Sequence, residues 1–280
     1  MTLNDIYHAI DPVALSLGPL QIRWYGLAYV AGFICAFLVI AKLSQRWKIR
    51  IDDDAFFTVV FCVIFGVILG GRLGYVLVYG DGYYLQHPEK ILAFNEGGMS
   101  FHGGLVGVII GGVIAAKITK IPFLTLADMG VVGVPIGLFF GRCANFINGE
   151  LWGAPTDMPW GVVFGGAAGT MPRHPSQLYE ALLEGVVLFI ILFALSRKTP
   201  ARPRGTFFGT FLLFYGLFRF TIEFIRQPDA QIGYLLGTHW FTMGQALSIP
   251  LMVAGVAFLI YAWKTKKPQM GLPDSGISQS

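Results

Sequence analysis

Charge is what this sequence has least of. Only 13% of its 280 residues are Asp, Glu, Lys or Arg, while 55% are hydrophobic. A soluble domain carries about 25% charged residues, so a water-soluble globular protein is excluded and a chain that crosses a membrane several times is expected. Cysteine is scarce as well. Cys35, Cys62 and Cys143 lie far apart, which leaves no zinc-ligand or redox-pair spacing. Cys35 and Cys62 fall inside apolar runs and read as small hydrophobes, and Cys143 reads as packing in preference to a nucleophile. No acidic cluster suited to Mg²⁺ or Ca²⁺ is visible, so chemistry without a metal or other cofactor is favoured. The first 22 residues hold no Lys or Arg. A secretory leader would open on a basic segment, so the first apolar helix is expected to stay in the mature protein. The formal charge of +4 comes from short scattered clusters and suggests no nucleic-acid partner.

What is present is a series of apolar runs. Seven can be read, at about 22–43, 56–79, 103–118, 126–146, 178–196, 205–225 and 246–263, each long enough to be a membrane helix or nearly so. The expected fold is all-α: a polytopic membrane bundle of seven transmembrane helices with a small outer head. Residues 1–267 would form one transmembrane catalytic domain, and 268–280 a short disordered cytoplasmic tail. Thirteen of the twenty basic residues follow helices one, three, five and seven, among them Lys42, Arg46, Arg197 and Lys264. The positive-inside rule makes that side cytoplasmic, with the N-terminus outside and the C-terminus inside. Gly66, Gly70 and Gly74, Gly103, Gly107 and Gly111, and Gly133, Gly137 and Gly141 recur every four residues. Small residues at that spacing let membrane helices approach closely, and these are expected to hold helices two, three and four together.

The seven remaining basic residues fall on the outer side or in outward-ending helices. Arg142 lies about 24 Å along helix four, and Arg219 about 21 Å along helix six, at 1.5 Å per residue. Tyr25, Arg72 and His102 stand towards the outer ends of helices one, two and three. Ionisable groups at membrane depth are costly and usually face a partner, a substrate or water. Five helices thus bring their unusual polar residues to one depth. Arginine offers a planar, permanently charged fork suited to phosphate. Arg219 and Glu223 are one turn apart and are expected to pair. Arg72 and Arg226 read equally well as headgroup contacts or as interfacial packing, and His174, beside Pro175, as structural. Two outer loops stand out. One ends in Gly97-Gly98-Met99-Ser100-Phe101-His102-Gly103-Gly104; the other, residues 151–177, carries Trp152 and Trp160, which suit a membrane interface.

The densest polar stretch is Gly141-Arg142-Cys143-Ala144-Asn145-Phe146-Ile147-Asn148-Gly149-Glu150-Leu151-Trp152-Gly153. This pattern resembles the hallmark of the prolipoprotein diacylglyceryl transferase family, and the resemblance extends from Trp24-Tyr25-Gly26 to Met243-Gly244-Gln245. Ala144 stands where glycine is often expected. The resemblance implies an enzyme of the bacterial cytoplasmic (inner) membrane, multi-pass, with its active site towards the periplasmic side. Its partners would be membrane lipids, phosphatidylglycerol among them, and prolipoprotein signal peptides with a lipobox cysteine. The reaction joins the diacylglyceryl group to that cysteine through a thioether and releases glycerol phosphate. His102 would take the thiol proton, and Arg142 and Arg219 would bind the headgroup and stabilise the departing phosphate. Tyr25, Asn145 and Glu150 would position lipid or orient these groups, Glu223 would hold Arg219, and Gly153 would allow close backbone approach. A transporter would place such residues near the midplane, in repeated halves. No repeat is visible.

Overall fold

The computed structural model describes residues 2–18, 20–80, 82–93, 97–228 and 233–272. Its elements in chain order open with a short helix α1 (Leu3–Ala9), a hairpin of β1 (Val13–Leu17) and β2 (Leu20–Arg23), and α2 (Trp24–Trp47). There follow α3 (Asp53–Tyr79), α4 (Tyr83–Gln86), α5 (Phe101–Thr119) and α6 (Phe123–Asn148). The next span is built of α7 (Ser176–Glu180), a π-helical stretch Ala181–Val187 and α8 (Leu188–Ser196), after which come α9 (Thr206–Ile222) and α10 (Met243–Thr265). Among the described residues, six helices are long and apolar enough to cross a membrane, and α9, with 17 residues, is a shorter apolar one. The chain is thus a mostly helical, polytopic membrane protein.

One departure from the all-α expectation is the hairpin. β1 and β2 pair antiparallel with a register shift between Val13 and Leu15, and Gly18 at the turn has φ 61°. Its second strand runs straight into α2. The apolar run that the sequence suggests as a helix from residue 22 therefore begins in a strand.

Two compact units are formed: Met1–Leu43 with Asp128–Pro268, and Ser44–Ala127 with the chain from Gln269 onward. In the second unit, α3 and α5 pack backbone to backbone. A methyl group on Gly66, Gly70, Gly103 or Gly107 would collide with backbone atoms of the facing helix, so these positions admit no side chain. Helix ends are capped locally: Asp52 Oδ1 accepts from the Ala55 amide at 2.9 Å, and Ser100 Oγ from Gly103 at 3.2 Å. Such caps satisfy amides that the helix itself cannot. The described part of the expected tail is bound in this unit. The Met270 amide donates to Thr125 Oγ1 at 3.4 Å, and Leu272 to the Arg50 carbonyl at 2.8 Å; residues 273–280 lie outside the described residues.

In the first unit the third glycine series has a different partner from the one expected. Gly133 faces Ala36, and Gly32 faces Gly137, so α6 packs on α2. A methyl group on Gly141 would meet open space. Helices α9 and α10 close through Gly209, Gly216 and Gly255. A small head beside the end of α6 has its own core of Phe146, Val162, Phe164 and Ala168, covered by Leu3, Tyr7, Trp152 and Leu178. Asn4 Oδ1 accepts from the Val163 amide at 2.9 Å, which ties α1 to it.

Candidate active site

Helix α6 stops because Gly149 takes a left-handed conformation, φ 67°. The Glu150 amide then donates to the Asn145 carbonyl at 3.1 Å, and that of Gly149 to Phe146 at 3.0 Å. This pair of bonds satisfies the last carbonyls of the helix. The turn folds Glu150 back over the helix end. Its Oε1 accepts from Asn145 Nδ2 at 2.8 Å and from Asn148 Nδ2 at 3.3 Å. The next element fastens the loop. Gln177 Nε2 donates to the Glu150 carbonyl at 2.6 Å and Ser176 Oγ to that of Leu151 at 3.0 Å.

Nearly two turns before the end of α6, Arg142 enters an ionic cluster with α7, the π-helical stretch and α9. Arg142 Nε lies 2.8 Å from Glu180 Oε2, and Arg219 Nη1 lies 2.6 Å from Glu180 Oε1. One carboxylate therefore joins the two arginines. Arg226 Nη1 reaches the same Glu180 oxygen at 3.2 Å. Arg219 also pairs with Glu223, as the one-turn spacing predicts, and Glu223 Oε2 accepts from Thr242 Oγ1 at 2.6 Å. Glu184 Oε2 stands 3.7 Å from Arg142 Nη2.

Burial gives this cluster a direction. The side chains of Glu180 and Glu184 are 0% exposed and Glu223 is 5% exposed, whereas Arg142 and Arg219 each keep 17% and Arg226 13%. The carboxylates form the floor and the guanidinium edges face out. A ligand entering such a site meets positive charge first, and buried ion pairs of this kind hold their partners in one geometry at a cost in desolvation. Glu180 ends α7 and Glu184 lies in the π-helical stretch that follows it, and both reach this floor. Gly185 lets that stretch lie against Phe139 of α6. Single π turns recur at functional sites.

The structure brings some of the sequence-expected residues together and leaves others apart. Arg142, Arg219 and Glu223 come together, with Arg226 beside them. Glu223 is the brace of Arg219 and lies buried behind it. Asn145 and Glu150 form a second network at the helix end. Gly153 sits in the head, where its amide donates to the His174 carbonyl at 2.9 Å and a methyl group would strike the backbone of His174 and Ile225; the close approach is that of the protein's own chain. His174 is structural as expected, its Nδ1 3.3 Å from Tyr179 Oη, and partial burial pushes it below the ordinary histidine value. Tyr25 is half-buried in the first turn of α2, and His102 is exposed in the first turn of α5, in the second unit. Arg72, 1% exposed, is engaged by backbone. It donates to the carbonyls of Ile91 at 2.7 Å, Lys90 at 2.7 Å and Gly98 at 3.2 Å, and to that of Gly97. That removes it from the candidates for a headgroup contact. Glu180 and Glu184 escaped the sequence reading. The one signal for them is two carboxylates four residues apart at the start of an apolar span.

Comparison with known proteins agrees with the motif. Residues 12–261 match the family model described as prolipoprotein diacylglyceryl transferase. The chain is 52% identical over 257 residues to a phosphatidylglycerol–prolipoprotein diacylglyceryl transferase of Geobacter sulfurreducens, covering 92% of this chain and 97% of the relative. It is similar to proteins of the same name from Cupriavidus metallidurans, 49% identical with 92% and 96% covered, and Rhodopseudomonas palustris, 46% identical with 96% of each covered.

Proposed function

The chain belongs to the prolipoprotein diacylglyceryl transferase family, and we propose that it moves the diacylglyceryl group of phosphatidylglycerol onto the lipobox cysteine of prolipoproteins. The observation that carries this reading is the shared carboxylate: Glu180 forms ion pairs with both Arg142 and Arg219 while the guanidinium edges stay open. Such a fork fits the phosphodiester of a lipid headgroup.

In this reaction the thiol sulfur attacks the glycerol carbon that bears the phosphate. A C–S bond forms, the C–O bond to phosphate breaks, and glycerol phosphate leaves. Charge builds on the departing phosphate, and preorganised cations aimed at developing charge stabilise a transition state more than a ground state. Arg142 and Arg219 take that role. The buried carboxylates hold the two guanidiniums in place, so little reorganisation is needed as the bond breaks. The thiol must lose its proton, because thiolate is the nucleophile. Glu150, steadied by Asn145 and Asn148, orients the lipid at the helix end together with Tyr25.

Seven membrane spans, with α9 the sixth, put the N-terminus outside and the basic loops in the cytoplasm. Residues 1–267 then act as one catalytic domain in the cytoplasmic (inner) membrane, with the arginine cluster towards the periplasmic side. The test is to incubate the purified protein in phosphatidylglycerol micelles with a lipobox peptide and follow the peptide mass. A diacylglyceryl gain that requires the peptide cysteine is the expected result. No gain across several lipids and peptides, with folded protein, overturns the assignment.

A further inference from the structure

The far end of α9 meets another buried carboxylate. Asp128, on α6, is 0% exposed. Its Oδ2 accepts from the Gly205 amide at 2.7 Å and its Oδ1 from the Phe208 amide at 2.7 Å. Those are the cap position and the third residue of α9, the two amides that a capping box satisfies. Helix α9 has no side-chain cap of its own, since Gly205 stands at that position with φ 89°. One carboxylate of a neighbouring helix therefore supplies the whole cap. In contrast, α10 is capped locally by Thr242 and Gln245.

The position of this cap along the helices gives it a further consequence. Arg142 lies fourteen residues beyond Asp128 in α6, and Arg219 lies fourteen residues beyond Gly205 in α9. At 1.5 Å per residue, each arginine is about 21 Å from the shared cap. The two helices are thus joined at equal heights by two polar links: Asp128 with Gly205 and Phe208 at one end, and Arg142–Glu180–Arg219 at the other. A sliding of α9 by one residue would shift Arg219 by about 1.5 Å, and a 1 Å misplacement at a reacting centre can cost about a hundredfold in rate.

We propose that Asp128 is a positioning residue, which sets the height of Arg219 against Arg142 and so shapes the phosphate clamp from the opposite end of the helices. This rests on the phosphate-clamp reading given above. The test uses the purified full chain, in which Asp128→Ala and Asp128→Asn are compared with Asp52→Ala. Asp52 caps α3 in the other unit with a single amide, so it controls for the loss of a helix cap. In each folded preparation two quantities are measured: kcat and KM for phosphatidylglycerol and peptide, and the rate at which phenylglyoxal labels Arg142 and Arg219, followed by mass spectrometry.

For Asp128→Ala, kcat/KM for phosphatidylglycerol is expected to fall roughly tenfold to hundredfold, with the peptide KM unchanged and Arg219 labelled faster than in the wild type. Asp128→Asn, which keeps one acceptor oxygen, should fall between the two. Asp52→Ala should keep wild-type kinetics and labelling even where its melting temperature drops. Folded Asp128→Ala with wild-type labelling and kinetics overturns the proposal, as does an equal effect of Asp52→Ala. If Asp128→Ala does not fold, Asp128→Asn carries both readouts. A wild type that transfers no lipid defeats the function proposed above, and the labelling, which needs no turnover, still decides the positioning.

Discussion

Buried arginine serves two ends in this protein. Arg72, in the second unit, is surrounded by four main-chain carbonyls and is 1% exposed. Arg142 and Arg219, in the first, rest on carboxylates and keep an outer edge. Four carbonyl contacts engage most of the N–H donors of this guanidinium, so Arg72 acts on the chain that surrounds it, joining α3 to Lys90, Ile91, Gly97 and Gly98. Carboxylates on one edge only neutralise the charge enough to hold it near the membrane and still leave donors for a phosphate. Burial alone does not distinguish a structural arginine from a functional one. The identity and placement of the acceptors do.

The largest expected effect of breaking that contrast is on the functional side. Arg142→Ala should lower kcat/KM for lipid transfer in folded protein by about 10²–10³, the scale of removing one donor from a transition-state site; its melting temperature should fall as well, because Glu184 loses its nearby cation, although Glu180 keeps Arg219 and Arg226. Arg142→Lys should recover little, because an ammonium cannot bridge Glu180 and a phosphate with one planar fork. Near-normal transfer by Arg142→Lys would mean that charge alone suffices. Arg72→Ala should show the reverse pattern. It orphans several carbonyls at once, and a loss of about 3 kcal/mol is expected from their unmet hydrogen bonds. Whatever protein still folds should turn over far faster than Arg142→Ala. A stable but inactive Arg72→Ala would collapse the distinction between the two kinds of arginine.

The same contrast explains what was legible in the sequence. Arg142 was visible because a charge at the end of an apolar run has few reasons to be there, and Arg219–Glu223 because a helix makes four-residue spacing a contact. Both are local facts. Glu180 and Glu184 become partners of Arg142 only when α7 docks on α6, and no spacing along the chain records that docking. The glycine series shows the same limit. A small residue every fourth position marks a face on which helices can close, which Gly66, Gly70, Gly103 and Gly107 confirm. It does not say which helix closes there, and Gly133 and Gly137 turned out to face α2. Gly153 was expected to allow a close backbone approach, and the backbone of His174 and Ile225 makes one. A glycine reports a close approach without naming what approaches. The hairpin of residues 13–23 was hidden because its second strand, Leu20–Arg23, is only four residues long and runs without a turn into α2.

The finest distinction concerns how Arg219 is held. Glu223 pairs with it from below, and Thr242 Oγ1 donates to the remaining oxygen of Glu223 at 2.6 Å. The same hydroxyl accepts from the Gln245 amide at 3.2 Å, while Gln245 Oε1 accepts from the Thr242 amide at 3.0 Å. Thr242 therefore joins the start of α10 to the floor of the cluster. Thr242→Ala should cost about 1 kcal/mol of stability, the usual value of a lost helix cap. It should also raise KM for phosphatidylglycerol by a small factor, well short of the loss in Arg142→Ala, because Glu223 keeps its arginine and loses only its support. Thr242→Ser retains the hydroxyl and should restore both stability and KM. If serine proves as damaging as alanine, the methyl group and not the hydroxyl is what matters at this position. The brace of Arg219 would then end at Glu223, and the link from α10 to the cluster would be one of packing.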